Sequence, residues 1–155
     1  MSDYTRVTRE CAVGELKPEL LAAIRAYAQA HELGQVETDA LLCCETRSEK
    51  KKKGFLASLG GGDPDALNQV GLVLTAQWMV WARSGARSGT VVSAARLRDV
   101  QVSAYRSPLI PDSGLEVQSP QPGSPEPVTA FIPLSADLAP SITERIRAAV
   151  AKAQA

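Results

Sequence analysis

The apolar residues near the N-terminus recur at helical spacing. Leu20 and Ile24 begin a repeat of four residues, which places its members on one face of a helix. Pro18 suits the first turn of such a helix, and Gly34 lies just past its end, where glycine often follows the last turn. The pattern therefore predicts an N-terminal helix over residues 17–32.

From Val36 onward the apolar period changes to two, which is typical of strands with one buried face. The even positions through Cys44 face the predicted core, and short strands with hairpin-like connections follow. A last apolar stripe then repeats every four residues, as in a helix with one buried face. Its members are Leu138, Ile142, Ile146 and Val150. We expect an α+β chain, with an antiparallel sheet over residues 35–134 and a C-terminal helix over residues 138–154.

The composition fits one globular domain over residues 1–155. Apolar residues make up 45% of the chain and charged residues 22%, which are ordinary values for a globular protein. Basic and acidic residues number 17 each, so the formal net charge is zero. Binding to nucleic acid is therefore not expected, and an anionic partner must be met by a local patch. Since no run of 18 apolar residues is present, a membrane-spanning helix is not expected.

One basic patch lies at residues 47–59, which the pattern places in a loop between two strands. The loop holds four consecutive lysines with apolar residues close behind them, among them two large ones in sequence: Lys50, Lys51, Lys52, Lys53, Phe55 and Leu56. Each lysine near an anionic leaflet contributes roughly 1 kcal/mol, and the apolar residues would supply the second signal that stable peripheral binding requires. The loop is a candidate contact for an acidic protein or an anionic lipid surface. The alternative is a solvated loop whose charges keep an apolar tip soluble.

Two tryptophans on one predicted strand offer a second candidate contact. Trp78 and Trp81 differ in parity, so one is expected to be buried and the other partly exposed. An exposed Trp81 would mark a face for a partner chain, which includes a second copy of this protein. The alternative is that the N-terminal helix covers Trp81, which would then have a structural role.

Residues suited to catalysis or metal binding are sparse. His31 is the only histidine, and its place at a helix end is explained by capping. Cys43 and Cys44 are expected on opposite faces of a strand, and no Cys-x-x-Cys pair is present, so neither a metal nor a cofactor is predicted. Free thiols fit a cytoplasmic protein. The competing hypothesis is a small cytoplasmic enzyme that uses Asp63, Asp65 or Cys43 in a loop pocket.

Two segments resemble the bacterial pleckstrin-homology-like (PH-like) domains. Residues 73–83 read as an apolar strand, a threonine turn and an aromatic strand, VLTAQWMVWAR. Residues 95–102, ARLRDVQV, are similar to the family's strand that begins at a leucine and an acidic residue. The resemblance covers about residues 35–155. It implies a seven-stranded, bent antiparallel sheet or partly open barrel, capped by the C-terminal helix, with the N-terminal helix as an addition.

The same resemblance implies a non-enzymatic binding or scaffolding module. Members that bind phosphoinositides place basic residues in the first loop between strands and on the strand after it. Here residues 47–59 match the first requirement, whereas residues 70–74 contain no lysine or arginine. The resemblance therefore implies loose contact with a protein or with an anionic surface, such as the inner face of the membrane, rather than a specific headgroup pocket.

Overall fold

The computed structural model describes residues 4–51 and 67–155, and within them the chain has the α+β architecture that the sequence predicts. Helix α1 spans Pro18–Ala30 and helix α2 spans Ala139–Gln154. The eight strands in these ranges are β1 (Tyr4–Glu10), β2 (Leu42–Lys50), β3 (Leu67–Leu74), β4 (Trp78–Gly85), β5 (Gly89–Arg96), β6 (Gln101–Ala104), β7 (Gly114–Ser119) and β8 (Val128–Pro133). Short 3-10 helices lie at Val13–Glu15 and Leu97–Asp99.

The strands form two antiparallel sheets. The larger sheet has the order β1-β2-β3-β4-β5, so each of its strands pairs with its neighbour in sequence, and the smaller has the order β6-β7-β8. The register of the larger sheet aligns Thr8, Thr46, Val70, Arg83 and Val91 across it. Since residues opposite one another share a face, this row identifies the face of the larger sheet that we call the inner face.

The larger sheet is covered on both faces. On the outer face, helix α1 buries Leu20 and Ile24 against Val73 and Val80. On the inner face, one core joins the larger sheet, the smaller sheet and α2. Its fully buried side chains include Leu72, Met79, Leu115, Ile132, Ile142 and Ile146. Helix α1 and the smaller sheet therefore lie on opposite sides of the larger sheet.

Helix α2 packs at one end of the inner face. Its Arg145 Nη1 lies 2.7 Å from Oε1 of Glu10, at the C-terminal end of β1. Its Gln154 Nε2 donates hydrogen bonds to the carbonyl oxygens of Leu97 and Val100. Tyr4, at the other end of β1, lies opposite Lys50, roughly 20 Å away along the strand. The first lysines therefore lie at the end of the sheet that α2 does not cover. In the described ranges, no helix has the length and apolar character needed to cross a membrane.

The strand boundaries correct three predictions. Strand β1 was not predicted, and it adds an edge to the larger sheet beside β2. The strand predicted to start near Val36 begins only at Leu42. Residues 36–39 form a turn instead, in which the Asp39 N–H donates to the carbonyl oxygen of Gln35. Strand β2 continues to Lys50, so residues 47–50 are not part of a loop. Residues 47–50 pair with β1 on one side, and residues 47–49 pair with β3 on the other.

Candidate functional site

The candidate site lies at the end of the inner face away from α2, and we call it the basic end: Tyr4, Arg6, Lys50, Lys51 and Arg83. The register places Tyr4 opposite Lys50 and Arg6 opposite Ser48, on the same face as Thr46. Lys50 and Lys51 are both exposed. Glu49 is exposed as well, but alternation along the strand directs it to the outer face. The inner face therefore ends in cationic side chains.

Arg6 holds this end together. Its side chain is 7% exposed, and its Nε and Nη2 donate to the two carboxylate oxygens of Asp112 over 2.8 and 2.6 Å. Its Nη1 donates to Ser48 Oγ. Its guanidinium carbon lies 4.7 Å from the ring centre of Tyr4 and 5.6 Å from that of Phe131. Arg6 thus ties β1 and β2 to the segment between β6 and β7, and its role is mainly structural.

Arg83 adds a second guanidinium nearby. It lies on the inner face of β4, and its Nη2 donates to the carbonyl oxygen of Phe131 over 3.0 Å. Partial removal from solvent lowers the pKa of Arg83, and the positive charge of Arg6 lowers it further. The guanidinium groups of Arg6 and Arg83 therefore lie close enough for their positive charges to interact. A cavity of about 270 Å³ beside Arg83 is lined also by Trp81, Val91 and Phe131. This is below the size range of most small-molecule sites, so the basic end is better suited to surface contact.

The structure separates the predicted contact residues into three groups. Lys50 and Lys51 are at the basic end, as described above. Four residues, Lys52, Lys53, Phe55 and Leu56, lie outside the described residues. Trp81 is only 9% exposed, and Met79 on the same face is fully buried. An exposed partner face at Trp81 is therefore not present, because the odd positions of β4 face the core between the two sheets. Trp78, which faces α1, is half-buried.

The cysteines do not form a reactive centre. Cys43 is buried like Cys44, because α1 covers the face on which Cys43 lies. Its Sγ is 3.9 Å from Sγ of Cys11. Burial is the main reason why the pKa values of both thiols are raised. The pKa of Cys43 lies far above that of a free thiol, and the pKa of Cys44 is about 12. The nucleophilic thiolate is therefore disfavoured at neutral pH.

The other residues considered for catalysis, Asp63 and Asp65, lie outside the described residues. Among residues 4–51 and 67–155, no group of three histidine, cysteine or acidic side chains could hold a metal ion. His31 follows the last turn of α1 and stacks on Tyr27, with ring centres 4.0 Å apart. This contact gives it a structural role.

Sequence reasoning missed Tyr4 and Arg6, because it placed no strand at the N-terminus. It placed Arg83 in a predicted strand but gave it no part in a site. A signal was present, since the segment YTRVTRE is rich in residues that favour strands. Nothing in the sequence pairs Arg6 with Asp112, 106 residues away. No protein-family model, no curated protein and no solved structure matches this chain.

Proposed function

We propose that this protein is a non-enzymatic binding module of PH-like type whose basic end contacts an anionic surface. The observation that carries the proposal is the exposure of Lys50, the last residue of β2, and of Lys51 after it, at the end of the sheet where the register also places Arg6. We place the protein in the cytoplasm, where the partner is an anionic membrane leaflet or an acidic protein.

The order of elements supports the PH-like part of the proposal. After α1, the described residues contain seven strands, β2 to β8, and the closing helix α2. Strand β1 and helix α1 are then additions to the PH-like arrangement. In that arrangement the first loop between strands follows Lys50, at the end of the sheet away from the closing helix. Lys50 and Lys51, the two lysines of the predicted run that the structure describes, lie at that end of the sheet and support the proposal.

Two features favour loose contact over a specific pocket. Strand β3 contains no lysine or arginine, and the cavity beside Arg83 is small. Two lysines near an anionic leaflet contribute about 2 kcal/mol, which corresponds to a change of about 30-fold in affinity. Such contact is sensitive to salt, since exposed charges are screened over about 8 to 10 Å at physiological ionic strength.

Sedimentation with lipid vesicles tests the proposal. The protein is mixed with neutral vesicles, or with vesicles that contain phosphatidylserine, at low and moderate salt. We expect salt-sensitive pelleting with the anionic vesicles, weakened about 30-fold in the double variant Lys50→Ala/Lys51→Ala. The matched control is Arg98→Ala/Lys152→Ala, which removes two exposed cations at the opposite end and should change binding little.

Equal loss of binding in the two double variants would refute a contact located at the basic end. If the wild-type protein pellets with neither kind of vesicle, the membrane form of the proposal fails. The acidic-protein form then needs its own test, which is whether polyglutamate shifts the amide resonances of Lys50 and Lys51.

A further inference from the structure

The segment between β6 and β7 presents two apolar side chains to solvent. Leu109 is 88% exposed and Ile110 is 67% exposed, the highest values for large apolar residues in the described part of the chain. They are adjacent in sequence and lie between Pro108 and Pro111. We call Leu109 and Ile110 the apolar tip. Single exposed apolar residues are common on protein surfaces, whereas an adjacent pair with most of its surface exposed is a candidate contact for a partner.

Hydrogen bonds hold the apolar tip in position. Ser107 Oγ accepts from the backbone N–H groups of Leu109 and Ile110, over 3.2 and 3.3 Å. The Tyr105 hydroxyl donates to the carbonyl oxygen of Ile110 over 2.8 Å. Two residues further on, the Asp112 carboxylate is bound by Arg6. Because these contacts order the backbone of the tip in advance, burial of its side chains costs less conformational entropy.

The same contacts place the apolar tip near the basic end. Arg6 joins Asp112 to Ser48, and Lys50 lies two positions beyond Ser48 on β2. Ile110 is within roughly 7 Å of Asp112 along the chain. Arg106, in the same segment, is exposed. Within residues 105–113 the only carboxylate, that of Asp112, is bound to Arg6, so Arg106 gives this segment its cationic charge at the surface.

We infer that the apolar tip inserts into the headgroup region of an anionic bilayer while Lys50, Lys51 and Arg106 contact the lipid phosphates. This inference rests on the proposed function and names its second binding signal, since stable peripheral attachment needs an apolar term besides the charges. The charge of the surroundings favours a bilayer over a second copy of this chain, because two copies would bring cationic surfaces together.

The test compares the double variant Leu109→Ser/Ile110→Ser with the wild-type protein on phosphatidylserine vesicles. Leu41→Ser/Val128→Ser is the matched control, since it also removes two exposed apolar side chains, 58% and 43% exposed, at sites outside the tip. We expect the tip variant to bind about 100-fold more weakly, or about tenfold for each side chain. The control should bind like the wild-type protein.

Salt separates the two binding signals. At 1 M salt, where the screening length is about 3 Å, the wild-type protein should keep a residual affinity that the tip variant lacks. If Lys50→Ala/Lys51→Ala weakens binding and the tip variant binds normally, the inference fails while the proposed function stands. Absence of any vesicle binding overturns both. The inference is also overturned if the wild-type protein sediments as a dimer in solution and the tip variant as a monomer.

Discussion

The ion pair between Arg6 and Asp112 gives the sharpest test of the architecture. Their side chains are 7% and 13% exposed, so neither charge is well solvated if its partner is removed. Two unit charges about 4 Å apart attract by about 4 kcal/mol at an effective dielectric constant of about 20. Removing one partner of a buried pair typically costs 3–5 kcal/mol, because the other charge remains buried. We expect Arg6→Ala to lower the free energy of unfolding by about 3–5 kcal/mol.

A double-mutant cycle separates the pair from other effects of each residue. Urea unfolding, followed by the fluorescence of Trp78 and Trp81, gives the free energy of unfolding for Arg6→Ala, Asp112→Ala and the double variant. We expect the double variant to lose about 2–3 kcal/mol less than the sum of the two single losses. The reason is that removing both charges leaves no unpaired ion.

The exposed pair Arg25–Glu37 provides the control. Its side chains are 55% and 39% exposed, so its coupling should be small, as for most surface pairs. If the losses of Arg6→Ala and Asp112→Ala are additive, or if their coupling is no larger than that of the control pair, the assigned role of Arg6 is wrong.

Two further predictions concern the core and the smaller sheet. Burial raises the pKa of Cys44 to about 12 from an ordinary value of 9.0, so between these pH values the unfolded chain loses a thiol proton that the folded chain keeps. This thiol should therefore lower the free energy of unfolding by about 1.4 kcal/mol per pH unit above pH 9. Urea unfolding should show a weaker pH dependence of that free energy in Cys44→Ala than in the wild-type protein. Equal pH dependence in the two proteins would contradict the raised pKa of Cys44. A Cβ on Gly114 would lie 2.3 Å from Ile132 O, whereas one on Gly14 meets nothing within 4 Å. Gly114→Ala should therefore lower the melting temperature far more than Gly14→Ala, and equal effects would contradict the register of β7 and β8.

The two helices were predictable because each has one buried face. The predicted ranges 17–32 and 138–154 match α1 and α2 to within two residues at each end. In α2, Ile142, Ile146 and Val150 are buried, as the repeat of four predicts. A single buried face produces a periodic pattern in the sequence, and such patterns survive small errors at helix ends.

Strand β2 was less predictable because both of its faces are covered. Cys43 packs under α1 and Cys44 packs between the sheets, so the strand lacks the alternation by which half-buried strands are recognised. Val36 belongs to a turn, yet its side chain is buried in the core that α1 forms with the larger sheet. Its apolar character therefore extended the alternating pattern and led to the prediction of a strand there. Trp81 was predicted to be exposed or to be covered by the N-terminal helix, and both alternatives are wrong, because Trp81 packs in the core between the two sheets. Only the position of the smaller sheet shows this.

The candidate site was only partly predictable, since some of its residues are adjacent in sequence and others meet only through the fold. The lysine run is visible in the sequence and leads directly to Lys50 and Lys51. Arg6 and Asp112 meet only because β1 pairs with β2 and the smaller sheet packs on the inner face. No local pattern encodes contacts of such sequence separation.

A chain with zero net charge can still have a cationic end, because some of its carboxylates are paired elsewhere in the described structure. Glu37 is paired with Arg25, beside α1, and Glu10 with Arg145, at the end that α2 covers. At the basic end, the Asp112 carboxylate is bound by an almost buried Arg6, which uses this negative charge to hold the apolar tip in place. Under the proposed function, the cations of Lys50, Lys51 and Arg106 would attract an anionic partner through their local field, and a net charge of zero does not weaken that field within a screening length.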